Sequence, residues 1–217
     1  ISAQTNVGCF GNSTGSATPN TAGGTAPYAY AWSNGQSTAI ATGLAAGSYT
    51  CTITDANGCV ATSIATITQP AAALTASIAA STNVGCFGGS DGSATLSVNG
   101  GTASYNYSWN TSPGQNSANA TNLPAGTWTC TITDGNGCTT TVNATISQPV
   151  AALSASIISK TNVACAGNTG DATVGVNGGT APYSYNWNTS PAQSAATATN
   201  LGAGTYTCTI TDANGCT

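Results

Sequence analysis

Nine cysteines, five aspartates and a single lysine are the side chains of this chain that could do covalent, metal-binding or acid–base chemistry. The cysteines come in threes: Cys9, Cys51 and Cys59; Cys86, Cys130 and Cys138; Cys165, Cys208 and Cys216. A structural zinc site wants close C-x-x-C pairs of thiolates, and the sequence has none. Regular spacing in a chain with so little charge points to disulfides instead. Which cysteines pair is a matter of reach. Cys51 and Cys59 fall four positions apart along one face of a hairpin, about 13 Å at strand rise, which exceeds the Cα separation a disulfide tolerates. Cys9 must therefore choose between them, and the odd cysteine of each triplet leaves room for an intermolecular bond.

The aspartates are Asp55, Asp91, Asp134, Asp171 and Asp212. Three of them open the same pentapeptide pattern, D-x-N-G-C, at Asp55, Asp134 and Asp212. A calcium loop needs carboxylates clustered at alternate positions. These stand alone, and the expectation is a turn carboxylate that accepts nearby backbone amides. Histidine, glutamate, arginine and methionine are absent, so general acid–base catalysis lacks its commonest agents, and neither an enzyme nor a cofactor site is expected. The net charge of −4 comes from one cation and five anions. One lysine cannot replace the counterions of a nucleic acid, nor form a polybasic membrane patch. No apolar run reaches the length of a membrane-spanning helix, so membrane insertion is not expected. Lys160 has Gln4 and Ser81 at the equivalent positions, which rules out an isopeptide crosslink common to the whole chain.

The elements that must position these residues repeat. Tyr28-Ala-Tyr30-Ala-Trp32 returns at Tyr105 to Trp109 and at Tyr183 to Trp187, at offsets of 77 and 78. Asn6-Val-Gly-Cys9 returns at Asn83 to Cys86 and as Asn162-Val-Ala-Cys165. Gln69-Pro70 and Gln148-Pro149 close two of the copies. A period of about 78 residues is too long for a solenoid rung and suits a small domain in tandem. The expected division is 1–70, 71–149 and 150–217. The third copy stops one residue after Cys216 and lacks the counterpart of residues 61–70, so its last strand is missing and the chain reads as cut from a longer array. A strand supplied by a neighbouring molecule is the alternative.

Within each copy, β-branched and aromatic residues alternate with polar ones between Gly, Asn and Pro turns, the pattern of an all-β sandwich. The second copy reads as a strand from Leu74 to Ala80, a second over Ser93 to Val98 and a third over Tyr105 to Trp109. An irregular stretch then ends at Leu123. A hairpin follows, with Gly126 to Ile132 and the strand after Cys138 as its arms. Asp55 to Cys59 fits a three-residue hairpin connection with Gly58 in the left-handed position. That register places Cys51, Ile53, Cys59 and Ala61 on one face.

These motifs together resemble the SprB repeat, named for the gliding-motility adhesin of Bacteroidota: N-V-x-C, G-S-A-T, G-G-T, Y-x-Y-x-W, G-T-Y-T-C-T-I-T-D-A-N-G-C and T-I-T-Q-P, three times over. The resemblance implies three tandem immunoglobulin- or PKD-like β-sandwiches, extracellular exposure on a cell surface, no enzymatic activity, and a role as stalk or adhesive fibre. It implies the pairs Cys9–Cys59, Cys86–Cys138 and Cys165–Cys216, with Cys51, Cys130 and Cys208 as buried thiols. Sandwich geometry points elsewhere, to Cys9–Cys51 within a copy or Cys9–Cys138 between stacked copies. The resemblance also implies that Trp32, Trp109 and Trp187 lie in the core, where the rival role is a platform for sugar rings. Tyr49, Trp128 and Tyr206, at the position of the tyrosine corner of immunoglobulin-like folds, are expected in the core as well. Low charge weakens repulsion between chains, so self-association into filaments is expected. A polysaccharide or a host surface is the other partner considered.

Overall fold

A computed structural model of the protein describes residues 1–165 and 167–217. Among the described residues every regular element is a strand. By contacts the chain divides into two compact units, one of Ile1–Ser77, Leu96–Ala118 and Thr129–Val142, the other of Ile78–Thr95, Asn119–Trp128 and Asn143–Thr217.

The first copy of the repeat lies wholly in the first unit. Its strands are β1 (Ala3–Thr5), β2 (Gly15–Thr18), β3 (Ala29–Trp32), β4 (Ala41–Leu44), β5 (Gly47–Thr54) and β6 (Val60–Ile67). They form two antiparallel sheets in the orders β1-β2-β4 and β3-β5-β6. With the strands lettered by their place in an immunoglobulin fold, these are A-B-E and C-F-G. Both sheets feed one core. Ala17, Ala41 and Leu44 come from the first, and Trp32, Cys51, Ile53, Ala65 and Ile67 from the second, with Val7 beside them. The alternation seen in the sequence is what builds it: Cys51 and Ile53 point inward while Thr50, Thr52 and Thr54, on the opposite face of the strand, are half-buried. Each large apolar side chain so buried contributes about 1.5–3 kcal/mol.

The second copy repeats the order. β7 (Thr75–Thr82), β8 (Gly92–Asn99) and β10 (Asn119–Leu123) form one sheet, and β9 (Asn106–Trp109), β11 (Gly126–Thr133) and β12 (Thr139–Ile146) the other. The third copy lies wholly in the second unit. Its β13 (Ser154–Thr161), β14 (Gly170–Asn177) and β16 (Thr197–Leu201) form the A-B-E sheet. The partner sheet has two strands, β15 (Ser184–Trp187) and β17 (Cys208–Thr211).

One glycine shows how closely the two sheets of a copy approach. A Cβ on Gly15 would lie 2.7 Å from Ile67 Cγ2 and 2.8 Å from the Leu44 carbonyl oxygen. Gly92 stands in the same position against Ile146 and Leu123, at 2.6 Å from each. The first residue of G-S-A-T is glycine because strands B, E and G meet there.

The stretch before Leu123, irregular by its sequence, is a strand. So are its counterparts β4 and β16. Each has a residue in the left-handed region, Gly43, Asn122 and Asn200, at φ 65°, 54° and 57°. The ladder shifts register there. The inward residues are consequently three apart rather than two, Ala41 and Leu44, Ala120 and Leu123, Ala198 and Leu201.

Candidate functional site

The D-x-N-G-C turn has the same construction in all three copies. Asp55 N donates to Cys59 O and Gly58 N to Asp55 O, each at 3.0 Å. Asp134 and Asp212 close the same two bonds with Cys138 and Cys216, and with Gly137 and Gly215. Gly58, Gly137 and Gly215 have φ of 83°, 83° and 85°, a conformation that glycine adopts without a Cβ penalty. The aspartate then ties the turn to the loop before strand C. Asp55 Oδ1 accepts from Asn57 N and Cys59 N, and Oδ2 accepts from Thr25 N. Asp134 takes the same bonds from Asn136, Cys138 and Thr102. Asp212 takes them from Asn214, Cys216 and Thr180.

These amides hold the carboxylates below their ordinary range. For Asp55 the bond from Thr25 is the leading cause. For Asp134 and Asp212 desolvation is the largest single influence and raises the pKa, but the bonds from Thr102 or Thr180 and from the turn amides together outweigh it. With their oxygens so engaged, the aspartates act as turn locks.

The asparagine of the turn is aimed by the same loop. Asn57, Asn136 and Asn214 each donate Nδ2 to a threonine hydroxyl, Thr25, Thr102 and Thr180, at 2.9, 2.8 and 3.1 Å. In two copies it donates again, to a carbonyl far away in sequence. Asn136 reaches Gly8 O at 2.9 Å and Asn214 reaches Gly85 O at 2.8 Å. Beside each bond sits a disulfide, Cys9–Cys138 and Cys86–Cys216, both with Cα atoms 5.7 Å apart. The N-V-x-C segment of one copy is therefore clasped by the D-x-N-G-C turn of the next.

The pairing within a copy that the resemblance implied is not what the structure has. Cys9–Cys59, Cys86–Cys138 and Cys165–Cys216 are replaced by Cys9–Cys138 and Cys86–Cys216, while Cys59 and Cys165 are free and exposed. Strand G explains why. Val7 N donates to Thr68 O and Gly11 N to Gln69 Oε1, which fixes Cys9 at the far end of β6. Cys59 precedes its near end. The eight residues of β6 separate them by about 26 Å at strand rise. Val84 with Ser147, and Gly88 with Gln148, anchor Cys86 identically. Cys51 and Cys130 are fully buried mid-strand thiols and Cys208 is half-buried. Burial pushes all three thiols up, which makes them poorer nucleophiles.

The three tryptophans of the Y-x-Y-x-W strands are structural. Trp32, Trp109 and Trp187 are 4%, 3% and 2% exposed, and each indole N–H donates to a carbonyl of the following loop, on Thr38, Ser117 and Ala195. Rings so placed offer no face for stacking on sugars. Tyr28, Tyr105 and Tyr183 each donate to the first residue of a Gly-Gly step, Gly23, Gly100 and Gly178, at 2.7 Å. At the corner position Tyr49 Oη donates to Ala45 O, and Trp128 Nε1 makes the equivalent bond to Pro124 O. Tyr49, Trp128 and Tyr206, expected in the core, are instead half-buried, because the polar tips of Tyr49 and Trp128 reach loop carbonyls at the end of the strand rather than the space between the sheets.

A model of the SprB repeat matches residues 1–37, 78–114 and 157–192, just over half of the chain. Each match runs from strand A past the Y-x-Y-x-W strand. Among solved structures, the chain is similar to a tetra-tandem repeat in the extending region of a large adhesion protein. That likeness has 20% identity and a TM-score of 0.23, and covers 95% of this chain and 63% of that one. No curated protein matches the chain. The sandwich assignment rests on the strand orders and the shared cores.

Proposed function

This chain belongs to the SprB repeat family, and from that membership we propose that it is a structural segment of an extracellular surface adhesin, non-enzymatic, which self-associates into filaments. The observation that carries the reading is the clasp made twice by an asparagine and a disulfide, Asn136 with Cys9–Cys138 and Asn214 with Cys86–Cys216. A stalk must carry load from one repeat to the next. A covalent bond between successive repeats does so after the sheets themselves have yielded. Two disulfides also fit an oxidising environment outside the cell. A charge content of 3% leaves little for salt to screen and little repulsion between chains. A sugar platform on the Y-x-Y-x-W strands would need accessible tryptophan rings, and all three are buried.

Negative-stain electron microscopy of the purified, oxidised chain tests the reading. Filaments are the expected result. Dispersed particles at all concentrations would refute self-association.

A further inference from the structure

β6, β7, β12 and β13 are edge strands of eight residues each. An edge offers a row of unpaired backbone N–H and C=O groups, and proteins blunt it with charge, proline or bulges. β13 shifts register between Ile157 and Ser159, with Lys160 just after the bulge. β12 places Thr139, Thr141 and Asn143 along its outer face, and β7 has no exposed large apolar side chain. β6 is left open. Val60–Ile67 contains no charge and no proline, and its ladder with β5 runs unbroken. On it, Val60 and Ile64 are 63% and 65% exposed. We infer that a second copy of this chain adds to the edge of β6, antiparallel and about a twofold axis at Thr62, so that the C-F-G sheets of two molecules join into one.

The backbone decides which groups are on offer. Thr66 O accepts from Gln4 Nε2 at 2.7 Å and Thr68 O from Val7 N at 2.9 Å, both on the side of the strand away from β5. Backbone groups alternate in direction along a strand. Val60, Thr62 and Ile64 therefore also turn their N–H and C=O away from β5, and among the described residues nothing bonds them there. Their side chains share the outer face of the sheet.

These three residues fix the register. With the axis at Thr62, they lie opposite Ile64, Thr62 and Val60 of the second copy, and each opposed pair exchanges two backbone bonds. A slide one way sets Val60 against Thr66, whose carbonyl Gln4 already holds. A slide the other way sets Ile64 against Gly58, whose N–H is already closed on Asp55 O. In the centred register Val60 packs on Ile64 at both ends and Thr62 meets Thr62, so the exposed apolar side chains cover each other.

Charge selects a second copy as the occupant. β3, β5 and β6 have no charged residue, and Asp55 at the hairpin tip has both carboxylate oxygens engaged by amides. The same surface on another molecule meets no like charge, whereas a charged partner finds no counterion. The contact is short, so it forms a concentration-dependent equilibrium rather than a permanent dimer.

The inference rests on the self-association reading and is tested separately from it. Sedimentation equilibrium of the oxidised chain over rising concentration gives the association constant. Thr62→Lys sets like charges opposite each other and should weaken association by at least about tenfold, and Thr62→Asp should do the same. An equimolar mixture of the two variants should recover it, because a cation then faces an anion across the axis. Thr62 is exposed, so neither change threatens folding. Thr141→Lys, the equivalent change on β12, should leave the constant as it is in the unaltered chain. Unchanged association in either Thr62 variant, no recovery in the mixture, an equal loss in Thr141→Lys, or an unaltered chain that stays monomeric at every soluble concentration would overturn the inference. Filaments that persist by microscopy in Thr62→Lys would overturn it and leave the fibre reading standing. Loss and recovery as expected, in material that forms no filaments, would support it and remove that reading.

Discussion

Asn136 and Gly8 are 128 positions apart, yet the Asn136 side-chain amide donates to the Gly8 carbonyl at 2.9 Å. The asparagine is held for this by Thr102 before Gly8 is counted, and Asp134 holds the turn that carries it. A hydrogen bond between two repeats thus depends on bonds internal to one of them. A mutation at Asp134 or Thr102 should loosen the junction without touching either residue across it.

The carboxylates set the response to acid. Asp55, Asp134 and Asp212 all have folded pKa values below those of an unfolded chain. A depressed pKa contributes stability that is fully present above the unfolded value, about 3.9, and is lost as pH falls through the folded one. Melting temperature should be flat from pH 5 to pH 8 and should fall below about pH 4. A midpoint that begins to fall near pH 6 would contradict this, because the chain has no histidine to titrate there.

Thiol titration reads the connectivity. The sequence-level pairing leaves at most three thiols per chain, whereas the structure has five free cysteines. The freshly purified, unreduced monomer should react at two thiols quickly, Cys59 and Cys165, and at five after unfolding. Three on unfolding, with none fast, would favour pairing within each copy. Reducing the native chain should also lower its unfolding free energy, by about 2–4 kcal/mol for each disulfide.

Trypsin gives a topological test. Its one site is Lys160, on a strand whose side chains are all exposed, in register with Ala172. Cleavage requires local opening of that edge and should be slow. The two pieces, 1–160 and 161–217, carry Cys86 and Cys216 respectively. They should stay together on a non-reducing gel and separate on a reducing one. Separation without reductant would mean that Cys86–Cys216 is absent.

Two glycines should respond differently to alanine. Gly92→Ala pushes a methyl to 2.6 Å from Ile146 and from the Leu123 carbonyl, and backbone cannot move aside cheaply. A loss of about 1–3 kcal/mol in denaturant unfolding is expected. Gly8→Ala meets only Asn136 Cβ at 3.7 Å and should leave stability and the Cys9–Cys138 bond intact.

The sequence by itself determined the strands and the turns, because both are local. Thr and Ile alternate along β5 with period two, and the inward residues Cys51 and Ile53 follow from that. The D-x-N-G-C pentapeptide carries its own lock, since Asp55 bonds the amides of Asn57 and Cys59 two and four residues on. Local reading failed where a left-handed residue broke the period. At Gly43, Asn122 and Asn200 the bulge moves the next inward residue from two positions on to three, so strand E looked irregular. Ala61 shares the face of Ile53 but is exposed, because that face leaves the core at the hairpin tip.

Only the tertiary structure decided which cysteines bond. All three of a copy sit in recognisable motifs, but a disulfide depends on a separation of about 5.5–6 Å between Cα atoms, which no spacing in the sequence encodes. Strand G, running its full length between Cys9 and Cys59, forbids the bond within the repeat. The approach of the next turn, guided by Asn136 onto Gly8 O, permits the bond across 129 positions.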